Sequence, residues 1–160
     1  MTEAGAPEYA GRGDEFGLQR FVDAQESTYD AALGELRRGR KGGHWMWFVF
    51  PQISGLGRTA TSQHFAISGL AEARAYLDHP VLGDRLRQCA SALLALPGSD
   101  AVAVLGPVDA VKLRSSMTLF ALAAPQEAAF RDVLEVCFAG QVDPLTASRV
   151  ADDDRPEDCG

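Results

Sequence analysis

The segment from Pro107 to Ala124 constrains this chain most, because as a helix it belongs near the centre of a fold. On a helical wheel, Leu113, Met117, Phe120 and Ala124 form one apolar stripe. Val108, Val111, Leu119 and Leu122 form a second on nearly the opposite side. A helix apolar on two sides is expected to be buried on both. Asp109, Lys112 and Ser116 fill one gap between the stripes, and Arg114 stands in the other. A charge in a buried helix needs a partner, or it costs several kcal/mol. Two readings follow. Asp109 and Lys112 form an internal pair at the helix start. Alternatively, Lys112 and Ser116 line a cleft and bind an anionic or carbonyl group, with Ser115 as a second hydroxyl donor.

The elements around this segment read as helices too. Leu82, Leu86, Cys89, Leu93 and Leu96 recur at helical spacing, stopped by Pro97-Gly98. Residues 16–25 place Leu18, Phe21 and Val22 on one face. A helix capped by Ser27 or Thr28 turns Tyr29, Ala32, Leu33 and Leu36 inward. Shorter helices are expected from Thr59 to Ile67, from Ala71 to Leu77 with Asp78 as the following cap, and from Asp143-Pro144 to Val150. Pro125 opens a helix with Ala129, Val133, Val136 and Cys137 inward. Asp100 to Leu105 reads as helix or extended chain, and the apolar run from His44 to Pro51 has no periodicity to decide. No alternating strand pattern or hairpin signal appears. The expected fold is all-α: about eight helices in one domain over residues 16–150, between disordered acidic tails at 1–15 and 151–160.

The net charge of −7 comes from those tails, since residues 16–149 hold equal numbers of acidic and basic side chains. A neutral body offers no strong nucleic-acid footprint. No apolar run approaches the roughly 20 residues of a membrane span, and residues 1–15 lack a signal-peptide pattern. Cys89, Cys137 and Cys159 are widely separated, with no metal-ligand spacing. The expectation is a cytoplasmic protein with reduced thiols, no metal and no cofactor.

Several residues break the helical pattern in ways that suggest a ligand. Gln25 sits on the buried face of its helix, where its amide must be hydrogen-bonded. It either holds a loop backbone or reads a ligand edge. Trp45, Trp47, Phe48 and Phe50 crowd into one short run between the basic stretch Arg37 to Gly43 and the glycine loop Gln52 to Arg58. Aromatic faces stack on bases, and Arg, Lys and backbone N–H groups take phosphates. Core packing is the competing reading of the same aromatics. Gly55-Leu56-Gly57-Arg58 is not a dinucleotide fingerprint, since it lacks the preceding strand and the third glycine. His44 is the best-placed acid or base, whereas His64 and His79 read as structural.

Four blocks together resemble the domain-of-unknown-function family 1810. They are Phe21 to Gln25, His44 to Gln52 with Gly55 to Arg58, Glu72 to Gly83, and Gly106 to Asp109 through Lys112 to Phe120. The resemblance spans about residues 20–140 and implies a bacterial, mainly helical protein. Members are often labelled calpastatin, although calpain inhibitors of that name are long, repetitive and disordered. Phe21 to Gln25 and Met117 to Phe120 also loosely resemble the NADAR proteins, which implies NAD or ADP-ribose chemistry. The Trp-x-x-x-Glu-His signature of those proteins has no counterpart, as residues 1–15 hold no Trp or His. Their catalytic roles therefore do not transfer.

Two functions remain open. The first is binding or hydrolysis of a phosphorylated, nucleotide-like small molecule related to ADP-ribose or NAD. Gln25, Trp45, Trp47, Gln52, Arg58, Ser115 and Ser116 would contact the ligand. If an ADP-ribose-type N-glycosidic bond is cleaved, Lys112 holds the phosphate or orients the leaving group, and His44 or Asp109 is the general base. The second is a helical interaction module without chemistry. It expects no cleft where residues 44–58 approach 109–116.

Overall fold

Ten helices and no sheet make up the described residues of the computed structural model, which are 14–98 and 100–153. Both segments with ambiguous periodicity are helical. Met46–Val49 is a single turn, and Ala101–Leu105 is capped by Asp100, whose carboxylate accepts from the N–H groups of Val102 and Ala103. In chain order the helices are α1 (Gln19–Gln25), α2 (Tyr29–Arg38), α3 (Met46–Val49), α4 (Ala60–His64) and α5 (Leu70–Asp78). They continue with α6 (Leu82–Leu94), α7 (Ala101–Leu105), α8 (Pro107–Ala123), α9 (Ala128–Phe138) and α10 (Pro144–Asp153). No helix of the described residues is long and apolar enough to cross a membrane.

The 17-residue α8 is the axis of the molecule and packs against α5, α7, α9 and α10. Pro107 starts it at a position where a missing N–H costs nothing. Leu113, Met117, Phe120 and Ala124 are buried, as their stripe requires. The second stripe is a correction. Leu119 is buried, but Val108 is 67% exposed, Val111 62% and Leu122 39%. The start of α10 covers that side in part, with Asp143 meeting Ser115 and Thr118, and in the linker before it Gln141 and Val142 take the Arg114 guanidinium on their carbonyls.

Other departures are smaller. α9 is rotated from the expected phase: Phe130, Val133 and Leu134 are buried, while Val136 is 44% exposed. The helix begins at Ala128 rather than Pro125, and the Phe130 ring settles 5.9 Å from that of Phe120. His79, not Asp78, caps the start of α6, its Nδ1 accepting from the N–H groups of Val81 and Leu82. The Thr28 side chain makes no cap bond to α2.

The expected tails lie largely outside the described residues, although α10 continues through 153. Asp14 belongs to the fold, its carboxylate accepting from Leu18 N and Gln19 N. Glu72 ties the start of α5 to α1. One of its oxygens accepts from Ser68 N and Oγ, and the other from Arg20.

Candidate functional site

The glycine loop after α3 is clipped to residue 67 by an isolated parallel bridge between Ile53 and Ile67. Ile67 N donates to Gln52 O at 2.9 Å, and Ser54 N donates to Ile67 O at 2.8 Å. The loop therefore leaves the core from a fixed base. Gly55 turns it with φ near +95°, and the Arg149 guanidinium of α10 packs where a Cβ would stand. Gly57 lies so close to Ser62 that a Cβ there would meet that side chain at 2.4 Å.

Between this loop and the start of α8 is a cleft of about 460 Å³. Gln52, Leu56, Gly57 and Ser62 form one wall. Pro107, Val108, Val111, Lys112 and Ser115 form the other, and Asp143 and Leu145 close one side. A smaller cavity of about 90 Å³ shares Gln52, Leu56, Gly57 and Ser62, and is lined in addition by Trp47. The arrangement is a mainly apolar trough with a few polar groups, the usual build of a small-molecule site.

At the end of the cleft away from Asp143, three charged residues meet. Asp109 Oδ2 lies 2.8 Å from Lys41 Nζ, and its Oδ1 lies 3.4 Å from Lys112 Nζ. One carboxylate thus serves two ammonium groups, and the nearer, Lys41, also donates to Gly43 O. Lys112 is the more weakly paired of the two cations. Its Nζ stands 4.6 Å from the centroid of the Trp47 ring, whose face supplies the remaining attraction.

Glu35 holds the neighbouring loop. Its Oε1 accepts from Gly42 N, Gly43 N and the Trp45 indole. Partial burial pushes its carboxyl up, but these donors outweigh that and hold it below the ordinary carboxylate range.

The sequence-derived site residues separate into two groups. Lys112, Ser115 and Gln52 line the cleft, and Trp47 lines the adjoining cavity. Asp109 stands behind Lys112 with both oxygens engaged by lysines. His44 and Arg58 are exposed and line neither cavity. Trp45 is buried against Glu35. Gln25 is buried with its amide satisfied, donating to Phe48 O and Tyr76 Oη and accepting from Arg85. Ser116 is fully buried, and its hydroxyl has no partner among the described residues.

Two polar cleft residues, Ser62 and Asp143, were not singled out in the sequence: Ser62 lies within an expected helix, and Asp143-Pro144 reads as a helix start. The Asp143-Pro144 signal was correct, but nothing in it told that the cap faces a cleft.

A larger open groove of about 510 Å³ lies along Arg37, Arg87 and Gln88. Its Arg87 is already bidentate to Glu127, which raises the arginine and lowers the carboxyl from their ordinary ranges. Among the described residues, no group of three or more His, Cys, Asp or Glu could hold a metal ion.

A family model described as "Protein of unknown function (DUF1810)" matches residues 15–150. A crystal structure of the conserved hypothetical protein Rv1873 from Mycobacterium tuberculosis is similar over 86% of this chain and 99% of that one. The identity is 45% and the TM-score 0.85. No curated protein matches the chain.

Proposed function

Since this chain belongs to DUF1810, a family of proteins of unknown function matched over residues 15–150, we propose from the site itself that it binds a phosphorylated, nucleotide-like small molecule. The ligand occupies the cleft between the glycine loop and α8. The observation that carries this reading is the weakly paired charge of Lys112. It shares Asp109 with the closer Lys41, rests on Trp47, and borders a trough with apolar walls. A phosphate takes the Lys112 ammonium, Ser62 and Ser115 offer hydroxyls, and Leu56, Val108 and Val111 cover a flat apolar group.

ADP-ribose and NAD are the ligand class in view. Binding is favoured over hydrolysis, because the candidate bases are an exposed histidine and a carboxylate already bridged by two lysines.

Thermal melts with ADP-ribose, NAD and AMP test the reading. At a hundredfold excess over Kd, a ligand stabilises by about 2.7 kcal/mol, a clear rise in Tm. Lys112→Met should abolish that rise while preserving the packing on Trp47. An unchanged Tm with every ligand, or an unchanged response in the variant, would remove the proposal.

A second reading has its own observation. Val108, Val111 and Leu145 are each more than 60% exposed on the cleft rim, and clustered exposed apolar side chains mark protein docking surfaces. Under that reading no nucleotide shifts Tm, and Val111→Asp lowers self-association or partner capture without altering the melt.

A further inference from the structure

We infer that the ligand is a ribonucleotide whose free ribose hydroxyls are recognised by Asp143, an inference that rests on the nucleotide reading of the same cleft. Asp143 is only 9% exposed, yet it lines the cleft. Its Oδ2 accepts from Ser115 Oγ at 3.1 Å, Thr146 N at 3.1 Å and Thr146 Oγ1 at 2.5 Å. Its backbone N–H donates to Thr118 Oγ1. The side chain is thereby fixed between α8 and α10. No described residue donates a hydrogen bond to Oδ1.

Asp143 Oδ1 is left to take its donor from the cleft, where a ligand hydroxyl can replace water. A cationic donor is disfavoured, because Lys112 precedes Ser115 by three residues on the same helix face and would repel it. Neutral O–H groups meet no such repulsion.

Lys112 and Asp143 line the same cleft, and Ser115, one turn from Lys112 on α8, is hydrogen-bonded to Asp143. Lys112 would hold the phosphate while Asp143 Oδ1 accepts from the 2′- or 3′-hydroxyl. A phosphate esterified at either hydroxyl would meet the carboxylate as a like charge and be rejected.

Titration calorimetry with AMP, 2′,3′-dideoxy-AMP and adenosine 2′,5′-bisphosphate tests this on the wild type and on Asp143→Asn. Asparagine is as good a helix cap as aspartate, so the variant should fold. The wild type should bind AMP about tenfold or more tightly than the dideoxy analogue, as expected for a hydrogen bond to a charged group. It should bind the bisphosphate more weakly still. Asp143→Asn should narrow both differences. If that variant fails to fold, the wild-type comparison of ligands decides alone. Equal wild-type affinities for AMP and its dideoxy analogue would overturn the inference and leave the phosphate reading standing. Absence of binding to all three would overturn both.

Discussion

The Lys112 ammonium stands 4.6 Å from the centroid of the Trp47 ring, joining the start of α8 to the aromatic turn α3. The two residues have separable duties. An aromatic face under a partly desolvated ammonium contributes about 1–2 kcal/mol, whereas a phosphate responds to the charge itself. Trp47→Leu should therefore lower stability by about 1–2 kcal/mol and weaken ADP-ribose binding only moderately. Lys112→Met removes the same ammonium–ring contact and should cost about as much stability, but it should abolish binding. Chemical denaturation and calorimetry on the two variants check this division.

Ser116 is fully buried without a hydrogen-bond partner among the described residues. A buried orphan hydroxyl costs about 1–3 kcal/mol, and replacing it by hydrogen leaves only a small void. Ser116→Ala should leave stability unchanged or raise it by about 1 kcal/mol. Ligand affinity should stay at the wild-type value, because the hydroxyl does not line the cleft. A urea titration of the variant measures the first effect, and a drop in ligand affinity would return Ser116 to the site.

Gly55 has φ near +95°, a conformation that side-chain-bearing residues adopt only with strain. Gly55→Ala should destabilise by about 1–3 kcal/mol. The Arg149 guanidinium that a Cβ would strike is the end of a flexible side chain and can move aside. Arg149→Ala in the same chain should therefore recover little of the loss. Full recovery in the double variant would place the strain in the contact instead of the backbone.

Much of the fold was legible because period and breakers agree. The 4-3-4-3 spacing that starts at Leu82 matches α6 as far as Leu93, with Leu96 just beyond the helix end, and the Pro107 start of α8 matches as well. Sequence reasoning failed where burial depends on what crosses a helix. Val108 and Val111 look like core, yet they are exposed on the wall of the cleft. In the site, Lys112 was readable as a charge in an apolar helix. Its pair with Asp109 was readable too, but the Trp47 face beneath it and the Lys41 that shares Asp109 were not, because both come from elements remote in sequence. Gln25 and Trp45 showed the correct signal, a buried polar edge needing a partner. The partners are the protein's own Phe48 carbonyl and Glu35 carboxylate.

His79 gives the fold a pH dependence of definite sign. Its Nδ1 accepts from two backbone N–H groups at the start of α6, which requires the unprotonated nitrogen. Burial is the main reason that its pKa lies below the ordinary histidine value, with Arg85 acting in the same direction and Asp14 opposing. The unfolded chain therefore binds the proton more readily than the native one. The His79 contribution is fully present above the ordinary histidine range and is lost as pH falls through it toward the lower native value. Tm should decline between about pH 7 and 5.5, before most carboxylates titrate. Asparagine can accept the same two N–H groups through an amide oxygen that does not titrate in this range. His79→Asn should keep the helix start and flatten the decline. A variant that loses stability over this interval as steeply as the wild type would move the titration to another group.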